Sequence, residues 1–309
     1  MEYDLLTLGE TMLALAPPAG AAIRDAPALL VDHAGAESNT CVGLARLGHR
    51  VAWVSRLGAD AAGDRILHAL AAESVDTRFV ERDRERSTGL MLKEPAAGVR
   101  YYRHDSAASV MGPELLDRVP VAGARAVLVT GVTALIGPRP HAAALALLDR
   151  ARGLRIVDPN LRTGLWGSAR RAELVRPLIE RSDLVLAGAA ELEEIVGAGR
   201  AGGAGGAGRA GTVGADEALA RAAAALGPRE IVVRSAATVG ALADGSWVEI
   251  EIRRDAAVDA IGAGDAFNAG YIAARLRGDT IDAALRLGIR CGAAVTMSVS
   301  DTAGFPKTR

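Results

Sequence analysis

The stretch 125–160, RAVLVTGVTALIGPRPHAAALALLDRARGLRIVDPN, decides the fold class. It opens on RAVLVTG (125–131), a short apolar run that suits a strand buried on both faces. PHAAALALLDRARG (140–153) reads as the helix that follows, and LRIVDPN (154–160) as a second strand stopped by Pro159. A strand, a covering helix and another apolar strand make a parallel sheet with helices packed on it. Downstream the alternation continues. SARRAELVRPLIERS (168–182) reads mainly as helix, with Pro177 as a potential breaker. DLVLAG (183–188) is a strand, AAELEEIVG (189–197) and EALARAAAALG (217–227) are helices, and REIVVRS (229–235) is a strand. ALADGSWVEIEI (241–252) has the pattern of a hairpin turning at Asp244-Gly245, and two helices close the chain, at about 264–277 and 280–298.

Upstream, YDLLTLGETMLAL (3–15) reads as a strand ending at Gly9. ESNTCVGLARLG (37–48) is a helix with Cys41, Leu44 and Leu47 on one side and Gly48 as its stop. RVAWVSRLG (50–58) is a strand and turn, and DAAGDRILHALAAESV (60–75) an amphipathic helix. TGLMLKE (88–94) and VRYYRHDSAAS (99–109) read as two strands around PAAG (95–98). The strand-rich patches 13–32 and 87–104 have no helix between their strands, which places them in a small sheet outside the main one, as a lid. The expected fold class is α/β: a single domain over 1–309, its central mainly parallel sheet covered by helices on both faces, plus a small β-sheet lid. A ligand crevice is then expected at the carboxyl ends of the parallel strands. GAGRAGGAGGAGRAGTVG (197–214) cannot build a core and reads as a mobile surface insertion within that domain.

Composition narrows the partners. A net charge of -1 gives no footprint for nucleic acid or for a membrane surface. No apolar run reaches the ~18–20 residues that cross a bilayer, and the acidic start MEYDLLTLGE lacks a basic leader, so a cytoplasmic protein is expected. The two cysteines, Cys41 and Cys291, lie far apart in apolar surroundings and read as buried free thiols. The five histidines form no ligand pattern, so no dedicated transition-metal site is expected.

Four stretches could carry chemistry. In DAIGAGDAFNAG (259–270), Gly262, Ala263 and Gly264 precede or open a helix whose first turn holds Asp265. Free amides at a helix start attract anions, and a carboxylate beside them can take a proton from a hydroxyl attacking phosphorus. A glycine turn with Asp265 as an ordinary first-turn residue fits the same spacing. In AGAESNTCVGLARLG (34–48), Gly35, Ala36, Glu37, Ser38 and Asn39 cluster at a helix start, which suits a polyol or serves simply as a cap. In YYRHD (101–105), alternation puts Tyr101 and Arg103 on one strand face, a pairing for a carboxylate-bearing ligand or a solvated edge. In DPNLRTGLW (158–166), Asn160 and Arg162 follow a buried strand and would face the crevice, unless Pro159 merely opens a turn.

Together, and in this order, these stretches resemble the ribokinase-like (PfkB) family of carbohydrate kinases over nearly the whole chain. Within it, LGETML, GAESN, YYRHDSAAS, VTGVTALIG and DPNLRTGLW are most similar to the kinases of 2-keto-3-deoxygluconate. The resemblance implies ATP, Mg2+ carried on its phosphates, and a sugar substrate. It implies Asp265 as the base, the amides of Gly262, Ala263 and Gly264 as the anion hole, and Glu191 as an acidic residue acting on magnesium through water. A monovalent cation, K+, would sit near Asp259. Arg103 and Arg162 would clamp a substrate carboxylate, Gly35, Asn39 and Tyr101 would read the hydroxyls and chain, and Met91 stands where some relatives place a tyrosine. Asn160 and Arg162 would lie between sugar and nucleotide. Arg234, Ser235 and Gly240, in VRSAATVGAL (233–242), stand where the family carries a K-x-G-x-x-G phosphate loop, and Gly188 stands where many relatives carry Asn before Glu191. A homo-oligomer is also implied, a dimer through the lid or larger. The alternatives are a kinase of a neutral sugar such as fructose or ribose, and a relative that binds sugar or nucleotide without turnover.

Overall fold

The structure, a computed structural model, describes residues 2–18, 21–94, 98–162, 165, 170–198, 214–252, 262–296, 302 and 304–306. Most of the Gly/Ala-rich stretch 197–214 and Asp259 lie outside them. In chain order the strands are β1 (Leu5–Leu8), β2 (Met12–Ala16), β3 (Leu30–Ala34), β4 (Val51–Gly58), β5 (Val80–Asp83), β6 (Leu90–Glu94) and β7 (Gly98–Tyr102). They continue as β8 (Ala126–Thr130), β9 (Leu154–Asp158), β10 (Leu184–Gly188), β11 (Glu230–Arg234), β12 (Thr238–Ala243) and β13 (Ser246–Glu251). The α-helices are α1 (Ala36–Arg46), α2 (Ala61–Ala72), α3 (Gly131–Ala134), α4 (Pro138–Arg150), α5 (Arg171–Ile179), α6 (Ala189–Ala198), α7 (Ala215–Ala224), α8 (Ala263–Arg277) and α9 (Ile281–Val295).

Nine strands form the main sheet, in the order β13-β12-β11-β10-β9-β8-β1-β4-β5. The pairs from β11 through to β5 are parallel, and β12 and β13 add an antiparallel hairpin at one edge. That hairpin turns at Asp244 and Gly245, with φ of 48° and 78°, the left-handed pair that a tight two-residue turn requires. Alternate side chains of one strand feed two cores. Leu6, Val127, Val129, Val157, Val185 and Ile231 pack on one face with Leu147 of α4, Val175 of α5 and Leu192 of α6. Leu5, Leu128, Ile156, Leu186 and Val232 pack on the other with Val42 of α1, Ile66 of α2 and Tyr271 of α8. A strand covered on both sides must be apolar at every position, which is why AVLVT carries no alternation. Each such Leu or Val contributes about 1.5–3 kcal/mol on burial.

The second sheet has four strands in the order β3-β2-β6-β7. The chain enters it through Gly9, Glu10 and Thr11, so the strand expected to end at Gly9 ends at Leu8, and β2 follows in the second sheet, where lid strands were expected from about residue 13. Pro177 lies inside α5 without interrupting it, and the helix ends two residues later at Ile179. Among the described residues, no helix is long and apolar enough to cross a membrane.

Candidate active site

A pocket opens where the carboxyl ends of the parallel strands face the lid. Its lining comes from the lid (Met12, Ala34, Met91, Tyr101), from the lid crossings (Glu10, Arg103) and from the start of α1 (Gly35, Ala36, Asn39). Val132, the segment after β9 (Asn160, Arg162, Leu165) and the start of α8 (Gly262, Asp265) complete it. Ten residues singled out from the sequence thus meet around one cavity: Gly35, Ala36, Asn39, Met91, Tyr101, Arg103, Asn160, Arg162, Gly262 and Asp265.

Two helix starts converge there. Gly262 caps α8 with φ 84°, a left-handed conformation that glycine adopts without strain. Its carbonyl accepts the amide of Ala266 at 2.9 Å, so the helix itself has no acceptor for the amides of Ala263, Gly264 and Asp265. A Cβ on Gly264 would meet nothing closer than Arg234 Nη1 at 3.9 Å, so the glycine leaves open space above these amides. Such a turn attracts anions. Asp265 Oδ2 accepts Asn39 Nδ2 at 2.9 Å, and Asn39 Oδ1 is buried with no hydrogen-bond partner among the described residues. A ligand hydroxyl would satisfy that acceptor. At the start of α1, Gly35 is held by close approach. A Cβ there would lie 2.3 Å from the Glu10 carbonyl oxygen and 2.7 Å from Thr11 Oγ1.

Glu37 and Ser38, expected beside the substrate, face away from the pocket. Both are fully buried. Glu37 Oε1 accepts the amide of Thr130 at 3.1 Å and its Oγ1 at 2.7 Å, tying α1 to the end of β8. Burial pushes the Glu37 carboxyl above its usual range, against the hydrogen bonds from Thr130 and Thr133. Ser38 Oγ accepts Thr11 Oγ1 at 2.7 Å. The first turn of a helix has an inner and an outer side, and these residues occupy the inner one.

On the lid side, Tyr101 is 39% exposed, and the Arg103 guanidinium lies 5.7 Å from its ring centroid. β7 ends at Tyr102, so Arg103 stands just beyond the strand, and it forms an ion pair with buried Glu10. Arg162 is exposed and has no ion pair among the described residues.

Asn160 takes φ 34° while its amide donates to Asp158 Oδ1 at 3.0 Å, a tight Asx turn that aims 160–162 at the pocket. Glu191 secures this turn: its two oxygens accept the amides of Leu161 and Gly188, each at 2.8 Å. Burial, followed by the charge of Asp158, raises the Glu191 carboxyl's pKa, and Arg234 opposes that shift.

The residues expected to form a nucleotide loop are placed differently. Arg234 turns inward, donating to Asn268 Oδ1 at 2.5 Å, Asp158 Oδ2 at 3.3 Å and the Leu186 carbonyl at 3.3 Å. It also lies 5.6 Å from the Phe267 ring centroid. Gly240 is inside β12, opposite Val233 and Glu249, where a Cβ would lie 2.1 Å from the Trp247 ring. It is a packing glycine. Ser235 Oγ donates to Asp216. The segment 235–237 between β11 and β12 is a hairpin turn whose polar side chain, Ser235, is engaged by Asp216.

Sequence reasoning gave no role to Glu10, Asp158 and Asn268. The signal for Glu10 was its place just after the first parallel strand, where a buried acid invites a search for its cation.

An open α/β sheet with its crevice at the carboxyl edge, lined by a carboxylate beside a glycine-opened helix start, is the arrangement of a phosphoryl-transferring enzyme acting on a hydroxylated substrate. The family model described as pfkB family carbohydrate kinase matches residues 3–308, and the chain belongs to that family. It is 30% identical to a 2-dehydro-3-deoxygluconokinase of Bacillus subtilis (strain 168), over 99% of this chain and 93% of the relative. A 2-dehydro-3-deoxygalactonokinase of Haloferax volcanii is 28% identical, over 93% of this chain and 89% of that protein. Among solved structures, the PfkB protein from Polaromonas sp. JS666 superposes with a TM-score of 0.83 at 31% identity, covering 97% of this chain and 98% of that one. The fold is ribokinase-like and the protein is a carbohydrate kinase.

Proposed function

We propose that this kinase transfers the terminal phosphoryl group of ATP to the O6 hydroxyl of 2-keto-3-deoxygluconate, giving the 6-phosphate. The observation that carries the reading is one cavity holding Asp265 beside the α8 amides at one side and Arg103 and Arg162 at the others. Asp265 takes the hydroxyl proton, and the amides of Ala263 and Gly264, turned by Gly262, stabilise the charge on the transferred group. Gly35, Ala36, Asn39, Met91 and Tyr101 shape the sugar site, and the arginines hold the carboxylate through directed hydrogen bonds. Magnesium arrives on the ATP phosphates. Glu191 fits a role on metal-bound water better than direct ligation, since each of its oxygens already accepts an amide. A K+ near Asp259 belongs to the same proposal, at a position outside the described residues. An ATP-consuming sugar kinase of this kind works in the cytoplasm. A dimer through the lid is supported by the lid's exposed Leu30, Val31, Tyr101 and Tyr102.

A second reading, a neutral-sugar kinase, draws on the Glu10 carboxylate that already balances Arg103. A coupled assay of ADP release, run with 2-keto-3-deoxygluconate, 2-keto-3-deoxygalactonate, fructose and ribose, tests both. The sugar-acid reading requires the highest kcat/KM on an acid. Preference for fructose or ribose overturns it.

A further inference from the structure

Among the described residues, two carboxylates line the pocket, Asp265 and Glu10. Asp265 opens α8, whereas Glu10 lies on the lid side, in the crossing from β1 to β2. The Glu10 side chain is 1% exposed. Its Oε1 accepts Ser106 Oγ at 3.0 Å, and its Oε2 pairs with Arg103 Nη2. Arg103 and Ser106 belong to the chain leaving the lid after β7. Glu10 therefore joins the segment entering the lid to the segment leaving it, at the wall of the pocket.

A buried carboxylate is stable only when paired, and Arg103 is that pair. The converse matters more for the substrate. Arg103 carries five donors in a rigid fork, and Glu10 engages the Nη2 side. The Tyr101 ring centroid lies 5.7 Å from the guanidinium carbon, and the buried Nε has no hydrogen-bond partner among the described residues. Glu10 holds the fork by one edge, which leaves donors for an acceptor of matching geometry.

We propose that Glu10 is a positioning residue that sets selectivity for sugar acids. It holds the Arg103 fork in one orientation at the lid hinge. By balancing the charge of Arg103, it also denies an ill-fitting anion the gain from unopposed Coulomb attraction. An acid whose carboxylate meets the remaining donors gains directed, charge-assisted hydrogen bonds. Glu10 acts on the substrate through Arg103, and the lid position is read in the same contact. This rests on the sugar-acid reading above.

Glu10→Gln keeps the size of the side chain and an acceptor for Ser106, and removes the charge. The expected result is a roughly tenfold rise in KM for 2-keto-3-deoxygluconate, the loss of one charge-assisted hydrogen bond's orientation. Turnover falls less than about threefold, and KM for ATP stays at the wild-type value. Arg103→Ala also raises the sugar KM, and the double variant is no worse than Arg103→Ala alone, because one residue acts through the other. Glu10→Asp, which preserves the buried charge balance and thus the fold, gives a KM between wild type and Glu10→Gln. A sugar KM unchanged in Glu10→Gln and Glu10→Asp, or losses that multiply in the double variant, overturns the proposal. Failure of the sugar-acid reading shows separately, as wild-type preference for fructose over the acid, and the proposal then falls with it.

Discussion

Asn39 Nδ2 donates to Asp265 Oδ2 at 2.9 Å, joining the first turns of α1 and α8 across 226 residues of chain. Thr40 Oγ1 adds a longer contact to the Asp265 carbonyl, at 3.4 Å. The donated hydrogen bond restrains the Asp265 carboxylate, and on the proposed reading the buried Asn39 Oδ1 would accept from a sugar hydroxyl. With Asp265 as the base, Asp265→Asn lowers kcat roughly a hundredfold to ten-thousandfold and leaves the melting temperature near wild type. Asn39→Ala leaves the base present but less well oriented, so kcat falls by a smaller factor, roughly tenfold, and the sugar KM rises. Steady-state kinetics of both variants checks this, and near-normal turnover in Asp265→Asn removes the assignment.

Arg234 makes a different prediction from the one its position in the sequence suggests. It spans Asp158, Leu186 and Asn268, and Asp158 is 2% exposed. Arg234→Met leaves that buried carboxylate with the hydrogen bonds of Asn160 and Asn268 but without Arg234's charge, which costs about 3–5 kcal/mol for a buried pair broken on one side. Urea unfolding measures the loss, and adding Asp158→Asn restores a large part of it. A rise in the KM for ATP at unchanged stability would instead make Arg234 a nucleotide ligand.

These two cases show what the sequence reveals and what it hides. The strands were legible because burial on both faces forces continuous apolar runs such as AVLVT and IVVR. The site was legible where a motif sits at a strand or helix end, as with Asp265 and Asn160. Side-chain direction was not. Arg234 stands at a strand end like a phosphate ligand, and only its contacts to Asp158, Leu186 and Asn268, all distant in sequence, show that it turns inward. Glu37 and Asn39 are two residues apart on one helix turn, yet one faces Thr130 and the other faces Asp265. Glu10 escaped notice because its partner, Arg103, is distant in sequence and reached through the lid.

Glu37 makes stability depend on pH. Burial raises its carboxyl above the ordinary 4.5, so folding favours the protonated form. The stabilisation is full below the unfolded value and is lost as pH rises through the folded one. Glu37→Gln cannot ionise, so its stability relative to wild type climbs from about pH 4.5 upward. Denaturant titrations at several pH values read the slope, which a constant cost of placing the amide does not alter. A difference independent of pH overturns the prediction.

The lid predicts the oligomer. Among the described residues, the exposed large hydrophobics are Leu30, Val31, Tyr101 and Tyr102, and all four lie on β3 or β7. Those are the two edge strands of the small sheet, so the exposed apolar side chains lie along its two edges. A second copy of the chain, docked lid to lid, covers both at once. Light scattering on the wild type should then give a dimer. Val31→Asp with Tyr102→Asp puts a carboxylate on each edge without touching the residues that line the pocket, and it shifts the protein towards monomer. Since Met91 and Tyr101 shape the pocket from the same sheet, loss of the dimer also loosens the lid, and the sugar KM rises while ATP affinity holds. A monomeric wild type, or a double variant that stays dimeric, places the interface elsewhere.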